Sequence, residues 1–250
     1  MPNSFYHITE EQWNRIKCLF PKEKKVGRPP LNSRTVFNAV LWILKSGARW
    51  RDLPTYFGNW NSIYHKFRQW CDCGLFKLLL QLLNADVSQT TLLEIDSTFC
   101  KVHQSACSGL KNQAIGASRG GNNTKIHVIV NEKMQLMSVS LTGGNVHDSE
   151  PAIALFEGVD LGGKTVLADK AYSCDKIRYY LQERGAHVCI PDKSNFKVKH
   201  NFDADLYKQR NLVERFFQRI KNFRHVAFRF DKLAVCFLNF VLLASFAIHF

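Results

Sequence analysis

Two folds in series are predicted: an all-α module over residues 1–85, and an α/β domain with a mixed five-stranded sheet and flanking helices over residues 90–250. Three observations predict them. All five Trp (Trp13, Trp42, Trp50, Trp60 and Trp70) fall in the first stretch with 13 Lys and Arg against 5 Asp and Glu, so composition changes between Asn84 and Gln89. Apolar residues recur at helical spacing before that point and alternate over much of the chain beyond it. The second stretch reads as three strands, then helices alternating with strands.

Thr9 and Gln12 have the spacing of a capping box ahead of Trp13, Ile16 and Phe20, and Pro21 stops that first helix. Lys22 to Pro30 is a charged linker punctuated by Gly and Pro. Asn32 or Ser33 then caps a second helix carrying Val36, Val40 and Ile43 as far as Gly47. Two short helices are expected on either side of Gly58, Arg51 to Phe57 and Ser62 to Cys71. The latter buries Ile63, Phe67 and Trp70 and turns Tyr64, His65, Lys66, Arg68 and Gln69 outward, a helix-turn-helix pattern. Those outward residues suit phosphates and base edges in a major groove; an ordinary helical bundle with a solvated face is the rival reading. Gly27-Arg28-Pro29 suits a minor groove or a simple turn.

Leu92 to Val102, Thr124 to Asn131 and Gln135 to Leu141 read as three strands of an antiparallel meander, with Gly-rich turns at Gly120-Gly121 and Gly143-Gly144. A helix from Pro151 to Phe156, a strand Thr165 to Ala168, a helix Cys174 to Glu183, a strand His187 to Ile190 and a long helix from Asp205 to Phe223 come next. That order is the order of a ribonuclease H-like fold.

The formal net charge is +13, from 34 Lys and Arg against 21 Asp and Glu, which points to a polyanionic partner bound in a salt-dependent way. Nucleic acid is that partner, since an anionic membrane surface calls for a basic amphipathic helix or a lipidation motif and neither is found. The eight Cys are scattered and read as reduced thiols. Cys71 and Cys73 are too close for a zinc ribbon, and Cys100, His103 and Cys107 lack a second half. No apolar signal-peptide core opens the sequence, so a cytoplasmic protein is expected, on the nucleoid when bound to DNA. The apolar run from Leu233 to Phe250 approaches the length of a membrane span, but Asn239, Ser245 and His249 interrupt it, and it reads as a buried helix.

Asp96 ends the apolar run Thr91 to Ile95, and Asp169 ends the run Thr165 to Ala168. A carboxylate at the mouth of a buried strand is costly unless a cation or a hydrogen-bond network receives it; capping a strand end is the plain alternative. On the expected long helix Tyr207, Arg210, Glu214 and Lys221 form one stripe beside the apolar face of Leu212, Val213, Phe216, Phe217, Ile220 and Phe223. Either that stripe is a solvated flank with an Arg210–Glu214 pair, or Glu214 points to the sheet edge where the two Asp residues end.

The spacing Tyr207-x2-Arg210-x3-Glu214-x6-Lys221, preceded by Asp96-Ser97-Thr98 and Ala168-Asp169-Lys170-Ala171-Tyr172, resembles the catalytic signature of the insertion-sequence-five family of bacterial transposases. Ser118-Arg119-Gly120-Gly121, Thr124-Lys125-Ile126-His127, Leu141 to Asp148, Trp50 to Pro54 and Asp231 to Ala234 resemble that family too, so the likeness runs through nearly the whole chain. Departures are Ala117, where the family often carries Arg, and the polar pair Asn122-Asn123. The resemblance implies a DDE transposase that binds its element's terminal inverted repeats, cleaves the ends and transfers 3′-hydroxyls into target DNA. It implies Asp96, Asp169 and Glu214 as the metal-binding triad, with Mg²⁺ as cofactor and Mn²⁺ as substitute. Only the resemblance selects Asp96 over Glu94, two residues earlier on the same strand face. Arg210 and Lys221 are implied as phosphate contacts, and Tyr207 as a base-stacking or packing residue. Arg119, Lys125, Lys66, Arg68 and Gln69 complete the expected DNA contacts. His103, His127 and His147 stay outside the catalytic set. Double-stranded DNA and a second copy of the chain in a paired-end complex are the expected partners; a domesticated DNA-binding regulator and a nuclease without strand transfer are the alternatives.

Overall fold

The computed structural model describes residues 7–22, 31–84, 90–107, 109–194, 196, 200 and 203–250. They belong to two compact units, Met1–Leu83 with Ile220–Phe250, and Asn84–Arg219. The linker expected over Lys22 to Pro30 and the Gly27-Arg28-Pro29 stretch fall almost wholly outside the described residues.

The first unit opens with α1 (Glu10–Ile16), where Thr9 and Gln12 form the expected reciprocal capping box, followed by a 3-10 turn, Lys17–Leu19. Asn32 caps α2 (Ser33–Ser46), and Gly47 ends it at φ 67°, a left-handed angle that glycine adopts at little cost. The helix expected from Arg51 to Phe57 is instead two 3-10 turns, Trp50–Asp52 and Thr55–Phe57, because Pro54 between them supplies no N–H. Asn59 caps α3 (Trp60–Asp72), which buries Ile63, Phe67 and Trp70. Helix α4 (Leu75–Leu83) is not among the predicted elements; Leu75, Phe76, Leu79 and Leu80 bury one face of it.

In the second unit β1 (Leu92–Val102) lies antiparallel to β3 (Gly121–Asn131), and β3 antiparallel to β4 (Leu136–Gly143). The short β2 (Gly116–Ser118) pairs the first residues of β3 and makes a strand beyond the five expected. Gly116 fits there because a side chain would collide with Asn145. After α5 (Ala152–Phe156), β5 (Thr165–Ala168) runs parallel to β1; after α6 (Asp175–Glu183), β6 (His187–Cys189) runs parallel to β5. The order β4-β3-β1-β5-β6 is ribonuclease H-like, as expected. One sheet face packs Leu93, Ile95 and Ile129 against Leu155, Phe156, Ile177 and Leu181; the other packs Leu92, Leu167 and Cys189 against Leu206, Tyr207 and Leu212.

The helix expected from Asp205 to Phe223 is broken into α7 (Ala204–Tyr207), a turn, and α8 (Leu212–Lys221). The interruption coincides with a long-range contact. The Val213 N–H is donated to the Glu94 carboxylate, so the chain restarts its helix there.

Returning to the first unit, α9 (Arg224–Ala227) packs on α2, and α10 (Ala234–Ala247) packs on α3, α4 and α9. Residues 220–250 thus group with the N-terminal helices in the compact units, whereas the expected domains are 1–85 and 90–250. Helix α10 is apolar on all sides and must be covered on several faces, which the helices of the first unit do. Phe240 lies 4.7 Å from the Phe67 ring and 4.1 Å from that of His225, whose Nε2 is 2.9 Å from Asp231 Oδ2. The motif Asp231 to Ala234 therefore begins in a buried polar knot, where Arg229 Nε also donates to the Asp231 carbonyl. Among the described residues no helix is long and apolar enough to cross a membrane, and α10 is core as read.

Candidate active site

The parallel pairing of β1 with β5 ends at Ile95 opposite Ala168, so the next residues are Asp96, midway along β1, and Asp169, just past the end of β5. Adjacent strands are about 4.8 Å apart, so the two carboxylates share one edge. Asp96 Oδ1 accepts the Ser97 N–H at 2.7 Å, and Asp169 Oδ1 accepts the Ala171 N–H at 2.7 Å as cap of the following turn. Burial, reinforced by the charges of Asp169 and Asp148, pushes the Asp96 carboxyl up to about 6.

Arg210 joins the sheet edge to α8. Its Nη1 is 3.5 Å from Asp96 Oδ2, and its Nη2 donates to Glu214 Oε1 at 3.0 Å. The guanidinium also lies 5.8 Å from the Tyr207 ring centroid, and Tyr207 packs against the Leu92, Leu167 and Cys189 cluster. Asp96, Arg210, Glu214 and Tyr207 are thus brought together, with Asp169 close enough to act on the Asp96 and Tyr207 charges. Lys221 ends α8, seven residues beyond Glu214, and is grouped with the other compact unit.

Two groups here fall outside the expected set of site residues. Asp148 accepts from Ser97 Oγ at 2.7 Å and from Lys125 Nζ at 2.8 Å. Burial works to raise its carboxyl, but those hydrogen bonds outweigh it and hold the group below the usual carboxylate range. The segment Leu141 to Asp148 is the signal in the sequence that could have found it. Glu94, the residue that competes with Asp96, is fully buried; burial pushes its carboxyl up to about 7, and its Oε2 accepts from Val213.

Lys125 is a correction. It is expected to contact DNA, yet it is buried, donating to the Val146 carbonyl at 2.6 Å and to Asp148, with its Nζ 4.9 Å from the Phe99 ring centroid. A strand with neighbours on both edges and a loop across its face leaves that ammonium an internal role. Arg119 is exposed at the tip between β2 and β3. On α3, Gln69 is exposed, Lys66 half-buried, and Arg68 half-buried 3.6 Å from Asp72.

Hard oxygen donors at one edge, one of them costly to ionise and crowded by like charge, fit a divalent cation. Among the described residues no three His, Cys, Asp or Glu side chains are gathered closely enough to hold an ion, and the Arg210 guanidinium bridges Asp96 to Glu214.

A ribonuclease H-like sheet with carboxylates side by side on its two central parallel strands defines a class of phosphodiester-cutting folds, and comparison with known proteins narrows it. A family described as a putative transposase of the IS4/5 family matches residues 8–80, and the transposase DDE domain family matches residues 88–247. The chain is 34% identical over 100 residues to the uncharacterized protein y4sN of Sinorhizobium fredii, covering 40% of this chain and 79% of that one. It is 31% identical over 125 residues to a putative transposase for insertion sequence element IS6501 of Brucella ovis, covering 48% and 93%. An uncharacterized 16.2 kDa protein of insertion element IS402 from Burkholderia cepacia is 35% identical over 85 residues, covering 31% and 58%. A solved pre-cleavage Mos1 transpososome aligns over 96% of this chain and 84% of that one at 11% identity and a TM-score of 0.30, too low to carry any argument. This chain belongs to the insertion-sequence transposases of the IS4/5 type, with a DDE catalytic domain. It is therefore a DNA-acting, divalent-metal-dependent enzyme of DNA cleavage and strand transfer.

Proposed function

We propose that this transposase binds the terminal inverted repeats of its own element, cleaves the DNA at those ends and joins the 3′-hydroxyls to target DNA, with Asp96, Asp169 and Glu214 as its metal ligands. The observation that carries this reading is the β1–β5 register that sets Asp96 beside Asp169, together with the Arg210 bridge from Asp96 to Glu214. Mg²⁺, or Mn²⁺ in its place, supplies charge neutralisation and an activated oxygen nucleophile for in-line displacement at phosphorus. Arg210 offers a planar fork of donors, suited to a phosphate oxygen beside the carboxylates. Tyr207, under that fork, restricts its orientation, and Arg119 and Lys221 are each further phosphate contacts. Lys66, Arg68 and Gln69 on α3 read the element's end. Two ends must be held for joining, which calls for two copies of the chain.

The test uses duplexes carrying the inverted repeats that flank the coding sequence. Asp96→Asn, Asp169→Asn and Glu214→Gln each remove a ligand charge with little change of volume, so each is expected to abolish cleavage while end binding persists. Cleavage by Asp96→Asn at the wild-type rate would overturn the ligand assignment.

A further inference from the structure

Glu94 is a buried carboxyl to which the proposed chemistry gives no role. It lies on β1 two residues before Asp96 and has no exposed surface. Its Oε2 accepts the Val213 N–H at 2.9 Å, in the first turn of α8, and its Oε1 is buried without a hydrogen-bond partner among the described residues. The first amides of a helix have no partner within the helix and are usually met by a side chain just before it. Here the acceptor comes from 119 residues away in sequence, on the strand that carries Asp96. Val213 immediately precedes Glu214, so one strand holds the first acidic residue of the triad and grips the backbone beside the last. A carboxyl placed this deep is costly, and an apolar side chain would fill the space more cheaply.

We propose that Glu94 is a positioning residue: its carboxyl fastens the first turn of α8 to β1 and so sets Glu214 in register with Asp96 for the metal-dependent step. This rests on the reading that Asp96 and Glu214 hold the same ions. Glu94→Leu removes the acceptor at similar volume, whereas Glu94→Gln retains an acceptor oxygen without charge.

The full chain and both variants are compared by amide hydrogen exchange across Leu212 to Glu214, by Mn²⁺ affinity from electron paramagnetic resonance, and by single-turnover cleavage of a prebound inverted-repeat duplex. For Glu94→Leu, exchange is expected to speed up about tenfold, and Mn²⁺ affinity and cleavage to fall about 10- to 100-fold, with duplex affinity unchanged. Glu94→Gln should remain within about threefold of wild type on all three. Unchanged exchange in a folded Glu94→Leu chain overturns the proposal. So does a Glu94→Gln chain that binds Mn²⁺ as poorly as Glu214→Gln, since Glu94 would then act by its charge. If Glu94→Leu does not fold, Glu94→Gln decides alone: protection and Mn²⁺ affinity retained together support the fastening, and loss of either refutes it. Wild-type Mn²⁺ affinity in Asp96→Asn would instead sink the underlying ligand reading, while leaving the exchange comparison to stand by itself.

Discussion

His127 sits on β3 with no exposed surface, its Nε2 2.7 Å from Thr142 Oγ1, and burial pushes its pKa down to about 4. It is therefore a neutral imidazole at neutral pH. The unfolded chain takes up this proton near 6.5 and the folded chain only near 4, so the stability tied to His127 is complete above about 6.5 and is lost as pH falls between those values. A shift of that size corresponds to roughly 3 kcal/mol. Asp96 opposes it, since a raised carboxyl pKa gives stability that declines as pH rises toward 6. The His127 part is isolated by urea unfolding of wild type and His127→Gln at pH 7.5, 5.5 and 4.5. The gap between them should narrow as pH falls, and a constant gap would refute the assignment. Lys125→Met should lower stability by about 2 kcal/mol by leaving Asp148 half-buried without its cation, while the salt dependence of DNA binding stays the same. Thermal melts and binding titrations check both halves. These residues mark how far sequence reaches at this scale. Asp96 and Asp169 stand out because each closes an apolar run. Glu94 and Asp96 cannot be separated by sequence, because alternate residues share a strand face and only the docking of α8 distinguishes them. Lys125 looks like a surface cation because a strand sequence does not reveal which loop will cross it.

At the C-terminal end of α2, a methyl group on Gly47 would stand 2.8 Å from Arg224 Cβ while the backbone is at φ 67°. Gly47→Ala therefore combines left-handed strain with a clash against α9, and should cost about 2–3 kcal/mol, read as a fall in the urea midpoint with unchanged slope. A cost under about 0.5 kcal/mol would mean that α9 yields freely. Signals of this kind, glycine stops and side-chain caps, are local, and the start of α1 and both ends of α2 are legible for that reason, whereas α1 stops at Ile16, short of the expected Pro21. The break between α7 and α8 is not. Its apolar stripe runs on through residues 205–223, and the interruption is imposed by a carboxylate on a distant strand. Helix α4 escapes sequence reading for another reason: only nine residues separate Gly74 from Asn84, and a Leu-rich run that short has no clear period. Strand β2 depends on glycines that admit Asn145, a tertiary fit with no periodic signal.

Charge is divided unequally between the two units. The first, residues 1–83 with 220–250, holds 17 Lys and Arg against 6 Asp and Glu, or +11, and the second holds 17 against 15, or +2, so nearly all of the +13 resides in the helical unit. The charge shift seen along the sequence understates this, because the four Lys and Arg of residues 220–250 are counted there with the catalytic part. We predict that the N-terminal helices need α10 in order to fold and bind DNA. Phe240 on α10 lies between Phe67 on α3 and His225, with Trp50 6.2 Å away, and α4 packs along α10. A chain ending at residue 219 keeps every residue of α3, yet strips the cover from Phe67 and α4. Loss of one such aromatic costs about 3–5 kcal/mol, and loss of the helix exceeds what a helical unit of this size has to spare. The truncated chain is therefore expected to lose the cooperative thermal transition of the first unit and to bind inverted-repeat duplexes no better than unrelated DNA. Phe240→Ala in the full chain should give a milder form of the same defect. Binding measured from 50 to 300 mM salt separates loss of fold from loss of charge: a missing phosphate contact lowers the slope of log affinity against log salt by about one each, whereas an unfolded reader loses the difference between specific and unrelated duplexes at every salt. Specific binding by a chain ending at residue 219, with a melting transition equal to that of the full chain, would refute the shared core.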